Sequence, residues 1–350
     1  IDRFNERMQV DGQPIPDETL AALTTEVYPH AEAMPQHPTE FELITCLAML
    51  YFARSRCDIV VLEVGMGGAL DSTNVIDTPE LAIITAMGLD HMRFLGDTLA
   101  EISRQKAGII KENGDVVIYG RCPEAEAVFE RVCEARHARL YRPDAAQLVQ
   151  GAFGLNGQSF SYAGYADLWI PLVGSYQPYN AAVVLTGVDV LRNKGWDIPQ
   201  WAVREGLRSV HWPARFEVLR QAAPVCIVDG GHNPHGIAGT ADSLRRLFPH
   251  TKVTFVFGVM ADKDVDGILD ILLPLAACCF AVRPDSPRAM EPAALAERIG
   301  ARGVRAEACE TVAEGVHRAM DAAGRDGVVC ALGSLYMAGE VRALFPKVKG

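Results

Sequence analysis

The sequence predicts two α/β domains, each a mostly parallel sheet covered by helices. Three observations carry the prediction. Short continuous apolar runs recur along the chain, separated by helix-like segments, as expected for strands buried on both faces. Acids stand where two of those runs end, at Glu63 and Asp229, and such sheets bind ligands at the carboxyl ends of their strands. The chain has 350 residues and is 49% hydrophobic, enough for two cores of ordinary size.

The elements follow in order. Segment 17–27 reads as a helix. Segment 39–53 reads as another, opened by a capping box of Thr39 with Glu42. Its apolar residues Phe41, Ile44, Leu47, Ala48 and Tyr51 recur at helical spacing. Runs 58–64, 81–87 and 115–119 are expected strands, with a helix over 99–110 between the second and third. Segment 151–170 is richer in Gly, Tyr, Phe and Ser and reads as a small antiparallel excursion. Helices are expected over 177–192 and 199–209. The stretch HWPARFEVL, 211–219, reads as the hinge into a second domain. Beyond it, strands are expected at 225–229, 253–257, 279–282 and 328–332, with helices at 236–248, 264–273, 292–299 and 312–323. The expected domains are therefore 1–210 and 211–350.

The net charge is −11, which argues against a nucleic-acid or anionic-membrane footprint. Local basic pockets for an anionic substrate stay open. The nine cysteines form no C-x-x-C pair. They read as reduced thiols of a cytoplasmic protein, mostly serving as small core residues. No apolar run reaches the roughly 18 residues of a membrane span.

Three stretches carry the candidate chemistry. In VVLEVGMGGALDSTNVI, 60–76, Glu63 precedes Gly65, Gly67 and Gly68. A dinucleotide fingerprint would run into a helical apolar period, which ALDSTNV lacks. A strand-end carboxylate beside bare backbone suits Mg²⁺, which takes few protein oxygens and leaves space for phosphates. A tight turn with a capping acid is the readier reading of this stretch alone. In GLDHMRFLGDTLAEISRQKAGIIK, 88–111, Asp90 and His91 stand at a strand end. Lys106 lies near a helix C-terminus among Ala107, Gly108 and Ile109. Burial there would lower its pKa and make the amine available; complementing the helix dipole is the plainer role. In CIVDGGHNPHG, 226–236, Asp229 ends a strand, and His232 and Asn233 lead into a helix whose N-terminus suits an anion. The lesser signals are Gln177 and Asn180, Arg215, the trio Asp262, Lys263 and Asp264, and the pair Gly333 and Ser334.

Taken together and in order, RFNERMQVDGQPI, LEVGMGGALDSTNVI, GLDHMRFLGDTLAEISRQKAGIIK, GSYQPYNAA, WPARFEVL, DGGHNPHG, FGVMADKD and GSLYMAGEV resemble the folylpolyglutamate synthase and dihydrofolate synthase family of the Mur ligase superfamily. The resemblance covers nearly the whole chain. It implies a Mur-ligase-like central ATPase domain, truncated at its N-terminus, plus a C-terminal Rossmann-like α/β domain. It implies ATP-dependent ligation of L-glutamate to folate or dihydropteroate through an acyl phosphate. Glu63 and His91 are then the Mg²⁺ ligands, and Lys106 is a carbamylated lysine. Asn180, Arg215, Asp229 and His232 belong to the ATP site, with His91, Lys106 and His232 in the catalytic set. Asp71 faces the pterin and Ser334 the incoming glutamate. A monomer is expected, with no nucleic-acid or membrane partner.

Two departures stand out. Gly231 replaces an alanine of the family's third motif, and no G-x-x-x-x-G-K-[ST] run is present. The second departure implies a first βα unit upstream of residue 1 and low activity for the chain as written. Another Mur-type amino-acid ligase and a non-catalytic folate-binding remnant are the alternatives. A nucleotide-dependent oxidoreductase would rest on fold analogy alone.

Overall fold

A computed structural model describes residues 3–345. The chain forms two compact units, 3–141 and 142–345. This division lies elsewhere than the boundary expected near 210, because the antiparallel excursion and the two helices after it pack with the C-terminal half.

The N-terminal unit opens with a short hairpin, β1 (Gln9–Val10) and β2 (Gln13–Pro14), which packs on α1 (Asp17–Glu32) and α2 (Glu40–Arg54). Met8, Ile15, Leu23 and Leu47 bury one small core there. The predicted capping box on α2 is present: Thr39 accepts from the Glu42 amide, and Glu42 accepts from the Thr39 amide at 2.7 Å. A parallel three-stranded sheet follows, ordered β3 (Ala82–Ile84), β4 (Asp115–Ile118) and β5 (Arg139–Tyr141). Helices α3 (Met92–Leu95) and α4 (Leu99–Lys106) lie between β3 and β4, and α5 (Pro123–Ala135) connects β4 to β5. Residues of β3, β4, α4 and α5 form the unit's second core, among them Ile84, Ile102, Val116 and Phe129.

The expected strand at 58–64 does not form. The run belongs to no ladder, and Val61 is 92% exposed. Apolar content alone does not make a strand; a parallel strand needs a hydrogen-bonded neighbour. Among the described residues β3 pairs with β4 alone.

The second unit begins with the excursion, an antiparallel sheet of β6 (Leu148–Gly154), β7 (Gly157–Tyr162) and β8 (Tyr165–Ile170). Its inner face packs against α6 (Gln177–Asn193) and α7 (Gln200–Ser209). The chain then enters a six-stranded sheet through β9 (Glu217–Arg220), β10 (Val225–Val228) and α8 (Pro234–Leu247). It continues through β11 (Val253–Phe257), α9 (Val265–Leu272), β12 (Ala276–Ala281), α10 (Pro292–Gly300) and β13 (Ala306–Ala308). It closes with α11 (Val312–Ala323), β14 (Val328–Leu332) and α12 (Leu335–Ala343). The strand order is β13-β12-β11-β14-β10-β9, parallel except for the edge strand β9. Every residue of β10, β11 and β14 is buried, so these strands read as unbroken apolar runs rather than alternating ones. Separate apolar clusters fill the two faces of the sheet. β14 inserts between β10 and β11, so strand order reverses there and the carboxyl ends of all three open on one crevice.

Candidate functional site

In the N-terminal unit the glycine-rich loop folds onto the end of α4. The Ala69 amide donates to the Gln105 carbonyl at 2.8 Å. A Cβ on Gly68, whose φ is +157°, would stand 2.9 Å from that carbonyl and 3.0 Å from the Lys106 carbonyl. Gly108 is tighter still, since a Cβ there would lie 2.2 Å from Ala69 Cα. Bare backbone on both sides therefore lets the loop lie directly beside Lys106.

Asp71 fastens this loop. Its carboxylate accepts from the Met66 amide at 2.8 Å, the Thr73 amide at 3.0 Å and the Thr73 hydroxyl at 2.6 Å. Burial alone would raise the Asp71 pKa. The Thr73 hydroxyl and the Met66, Thr73 and Gly65 amides together outweigh it and hold the carboxyl below its ordinary value. Asn74 adds bonds to the Ala69 and Gly108 carbonyls, each at 3.2 Å. The polar cluster read from the sequence thus braces the loop by its own contacts.

Lys106 is half-buried at the C-terminal end of α4. Burial is the main influence on its ammonium and lowers its pKa, while the nearby Asp90 carboxylate pulls the other way. Asp90 also accepts the His91 amide at 2.8 Å. That bond holds His91 at φ 52°, ψ 32°, a left-handed conformation that histidine tolerates better than most residues. The His91 ring and the Glu63 carboxylate are exposed. Among the described residues no group of three or more His, Cys, Asp or Glu side chains gathers to form a metal cage. One carboxylate and one imidazole are too few donors for a closed zinc or calcium site. An exposed carboxylate such as that of Glu63 is the donor type that Mg²⁺ takes while keeping several waters of its own.

The second unit builds its crevice from three loops at the ends of β10, β11 and β14. The Gly333 amide donates to the Gly231 carbonyl at 3.0 Å. Gly333 has φ +107°, and a Cβ there would lie 2.5 Å from the Gly258 carbonyl. Asp229 is the hub, only 3% exposed. It accepts from the Phe216 amide at 2.7 Å, the Gly231 amide at 2.8 Å and the Thr240 hydroxyl at 3.0 Å. Around it, Ala214 and Phe216 both adopt positive φ, 56° and 48°, although neither is glycine; each costs about 1–2 kcal/mol. Arg215 stands between them, its Nη1 within 3.0 Å of the point a Gly230 Cβ would occupy. His232 donates from Nδ1 to the Gly230 carbonyl at 2.9 Å, which fixes the ring beside the N-terminus of α8. Asn233 caps that helix through the Gly236 amide at 2.8 Å. Ser334 is buried and caps α12 through the Tyr336 amide at 3.1 Å. Asp264 serves likewise for α9.

Asn180 sits in the first turn of α6 and donates to Gln177 at 3.0 Å. Both line a mostly apolar, open-sided cavity of about 420 Å³ between α6, α7 and the end of β8. Asp71 and Lys106 both flank the glycine loop, and Arg215, Asp229, His232 and Ser334 gather at the crevice, whereas Glu63 and His91 stand exposed and Asn180 lies apart at the apolar cavity. Thr240 and Glu217 have comparable positions, although no sequence motif marks either. Thr240 lies four residues after Gly236 on the inner face of α8, and only the fold reveals that this face meets Asp229.

Residues 17–188 match the Mur ligase middle domain, and residues 214–335 match the Mur ligase glutamate ligase domain. A folylpolyglutamate synthase of Lacticaseibacillus casei is 38% identical over 306 residues, covering 84% of this chain and 71% of that protein. A dihydrofolate synthase/folylpolyglutamate synthase of Bacillus subtilis is 37% identical, covering 82% of this chain and 69% of that protein. The crystal structure of Mycobacterium tuberculosis folylpolyglutamate synthase complexed with ADP and AMPPCP superposes with a TM-score of 0.89 at 32% identity, over 99% of this chain and 83% of that one. With two Mur ligase domains in sequence order, a shared fold and this level of identity, the chain belongs to the folylpolyglutamate synthase/dihydrofolate synthase family of Mur ligases.

Proposed function

We propose that this protein joins L-glutamate to a folate or to dihydropteroate at the expense of ATP. The observation that carries the reading is the 38% identity to a folylpolyglutamate synthase over 84% of the chain. The geometry of the two clusters supports it. The substrate carboxylate takes the γ-phosphoryl group and ADP leaves. The glutamate amine then attacks the acyl carbon and phosphate departs. Both reactants of the first step are anions, so the residues must supply positive potential and directed donors.

Arg215 provides a fixed cation, and His232 and the amides opening α8 provide donors. Asp229 keeps both in place. Glu63 and His91 would hold Mg²⁺, which supplies charge neutralisation at the phosphates. Burial makes Lys106 a better source of neutral amine, the form that adds CO₂ to give a carbamate and a proton. Asn180 is assigned to the nucleotide, Asp71 to the pterin side and Ser334 to the incoming glutamate. The change of matched domain between residues 188 and 214 supports a functional boundary near 210. A monomer working in the cytoplasm completes the reading; no described helix is long and apolar enough to cross a membrane.

The test is glutamate incorporation by the full-length protein with a panel of folates, dihydropteroate and UDP-linked muramoyl substrates. Glu63→Gln and Lys106→Ala should each abolish ligation while leaving the circular dichroism unchanged. Near-normal ligation by either variant removes that residue's role. Preference for a muramoyl substrate replaces the folate reading with another Mur-type ligase.

A further inference from the structure

We propose that Glu217 and Arg342 are positioning residues that hold a strained elbow at 214–216 and thereby aim Arg215. The proposal rests on the reading of Arg215 as a nucleotide contact. Two positive-φ residues flank Arg215, and both are buried, Ala214 at 0% and Phe216 at 1% exposure. Such backbone persists only where its surroundings over-determine it. Asp229 holds the far side through the Phe216 amide. The near side is held from a different element. Glu217 Oε2 accepts the Ala214 amide at 2.9 Å, and the same oxygen accepts Arg342 Nε at 2.9 Å. The ion pair is largely removed from water, with side-chain exposures of 15% for Arg342 and 10% for Glu217. The Ala214 carbonyl is also engaged, accepting the Gly230 amide at 2.8 Å.

Arg342 lies in the last turn of α12, and the first residue of that helix, Leu335, packs over Gly230. One helix therefore does three things: Ser334 caps it beside the crevice, Leu335 covers the glycine that Arg215 lies against, and Arg342 orients the acid that clamps the elbow. A displacement of α12 would be felt at Arg215 through two hydrogen bonds to a single oxygen. Because both bonds converge on Oε2, a neutral glutamine can replace Glu217 with its amide oxygen accepting from both donors.

The experiment combines amide hydrogen exchange at Ala214 and Phe216 with calorimetric titration of MgADP into the full-length protein. Glu217→Ala and Arg342→Met should each accelerate exchange at Ala214 by about tenfold or more and weaken MgADP by about tenfold. Glu217→Gln should stay within about threefold of the parent protein in both, which a general loss of stability would not reproduce. Parent-like exchange and affinity in Glu217→Ala, or equal damage in Glu217→Gln and Glu217→Ala, overturns the proposal. Arg215→Met separates the two layers. Unchanged MgADP affinity in that variant removes the nucleotide reading beneath the proposal, while faster Ala214 exchange in Glu217→Ala would still establish the clamp.

Discussion

Replacing Asp229 by Asn should destabilise the C-terminal unit severely, although the two side chains have the same shape. The carboxylate receives three donors: the Phe216 amide on Oδ2, and the Gly231 amide and Thr240 hydroxyl on Oδ1. Asparagine offers one oxygen and one NH₂. If its oxygen faces Gly231 and Thr240, the NH₂ opposes the Phe216 N–H. If its oxygen faces Phe216, the NH₂ opposes the Gly231 N–H, and the Thr240 hydroxyl can at best rotate to accept. Either way one buried backbone donor loses its partner, at a cost of about 1–3 kcal/mol, and the remaining bonds lose their charge assistance, roughly 1 kcal/mol each. The sum is about 3–5 kcal/mol, plus some release of the Phe216 backbone strain that offsets part of it. All four tryptophans, Trp169, Trp196, Trp201 and Trp212, lie in the C-terminal unit, so their fluorescence reports its unfolding and is silent on the other. At a urea m-value of about 2–3 kcal/mol/M, the midpoint should fall by roughly 1–2 M. Thr240→Val removes one donor and leaves the other two, so its loss should be smaller, about 1–3 kcal/mol. A change below about 1 kcal/mol for Asp229→Asn would show that the three-donor hub does not hold the turn.

The N-terminal unit yields three further expectations. Gly108→Ala forces a Cβ against Ala69; it should lift the glycine loop off α4, cost about 1–3 kcal/mol, and raise exchange at the Ala69 amide, whereas unchanged protection would mean that the loop is not docked there. Asp71 is held below its ordinary carboxyl pKa, so its bonds contribute stability above the ordinary carboxylate range that is lost as pH falls through the folded value. Asp71→Asn should flatten this part of the acid limb, and identical pH profiles by circular dichroism would contradict the hydrogen-bond account. Lys106 is pushed below an ordinary lysine mainly by burial, so trace acetylation in CO₂-free buffer, read by mass spectrometry, should give it a titration midpoint below those of exposed lysines. A midpoint matching theirs would remove the physical basis for a reactive amine.

Much of the architecture is legible in the sequence because its signals are local. The buried runs at 225–229, 253–257 and 328–332 become strands almost residue for residue, since continuous apolarity and flanking glycines suffice for a central parallel strand. The antiparallel excursion and the Thr39–Glu42 cap are local in the same sense. The run at 58–64 fails for the complementary reason: ladder bonds belong to a pair of strands, and one segment's composition is silent on its neighbour. Helices α5 and α12 and strands β5 and β13 leave little signal in the sequence because they are short or mixed in polarity, and their burial comes from what they pack against.

The division holds for the candidate site as well. The sequence by itself determined the residue types and their order, from Glu63 through Lys106 to Asp229 and Ser334, and with them the family, because motif order is a one-dimensional property. Only the tertiary structure decided what each group is engaged with. It turned Asp71 and Asp229 into hydrogen-bond hubs with three donors each and brought Thr240 under Asp229. It also joined Arg342 to Glu217, 125 residues away in the chain. Such contacts depend on which faces meet when helices cover a sheet, and a carboxylate's lone pairs are satisfied by geometry rather than by sequence neighbours.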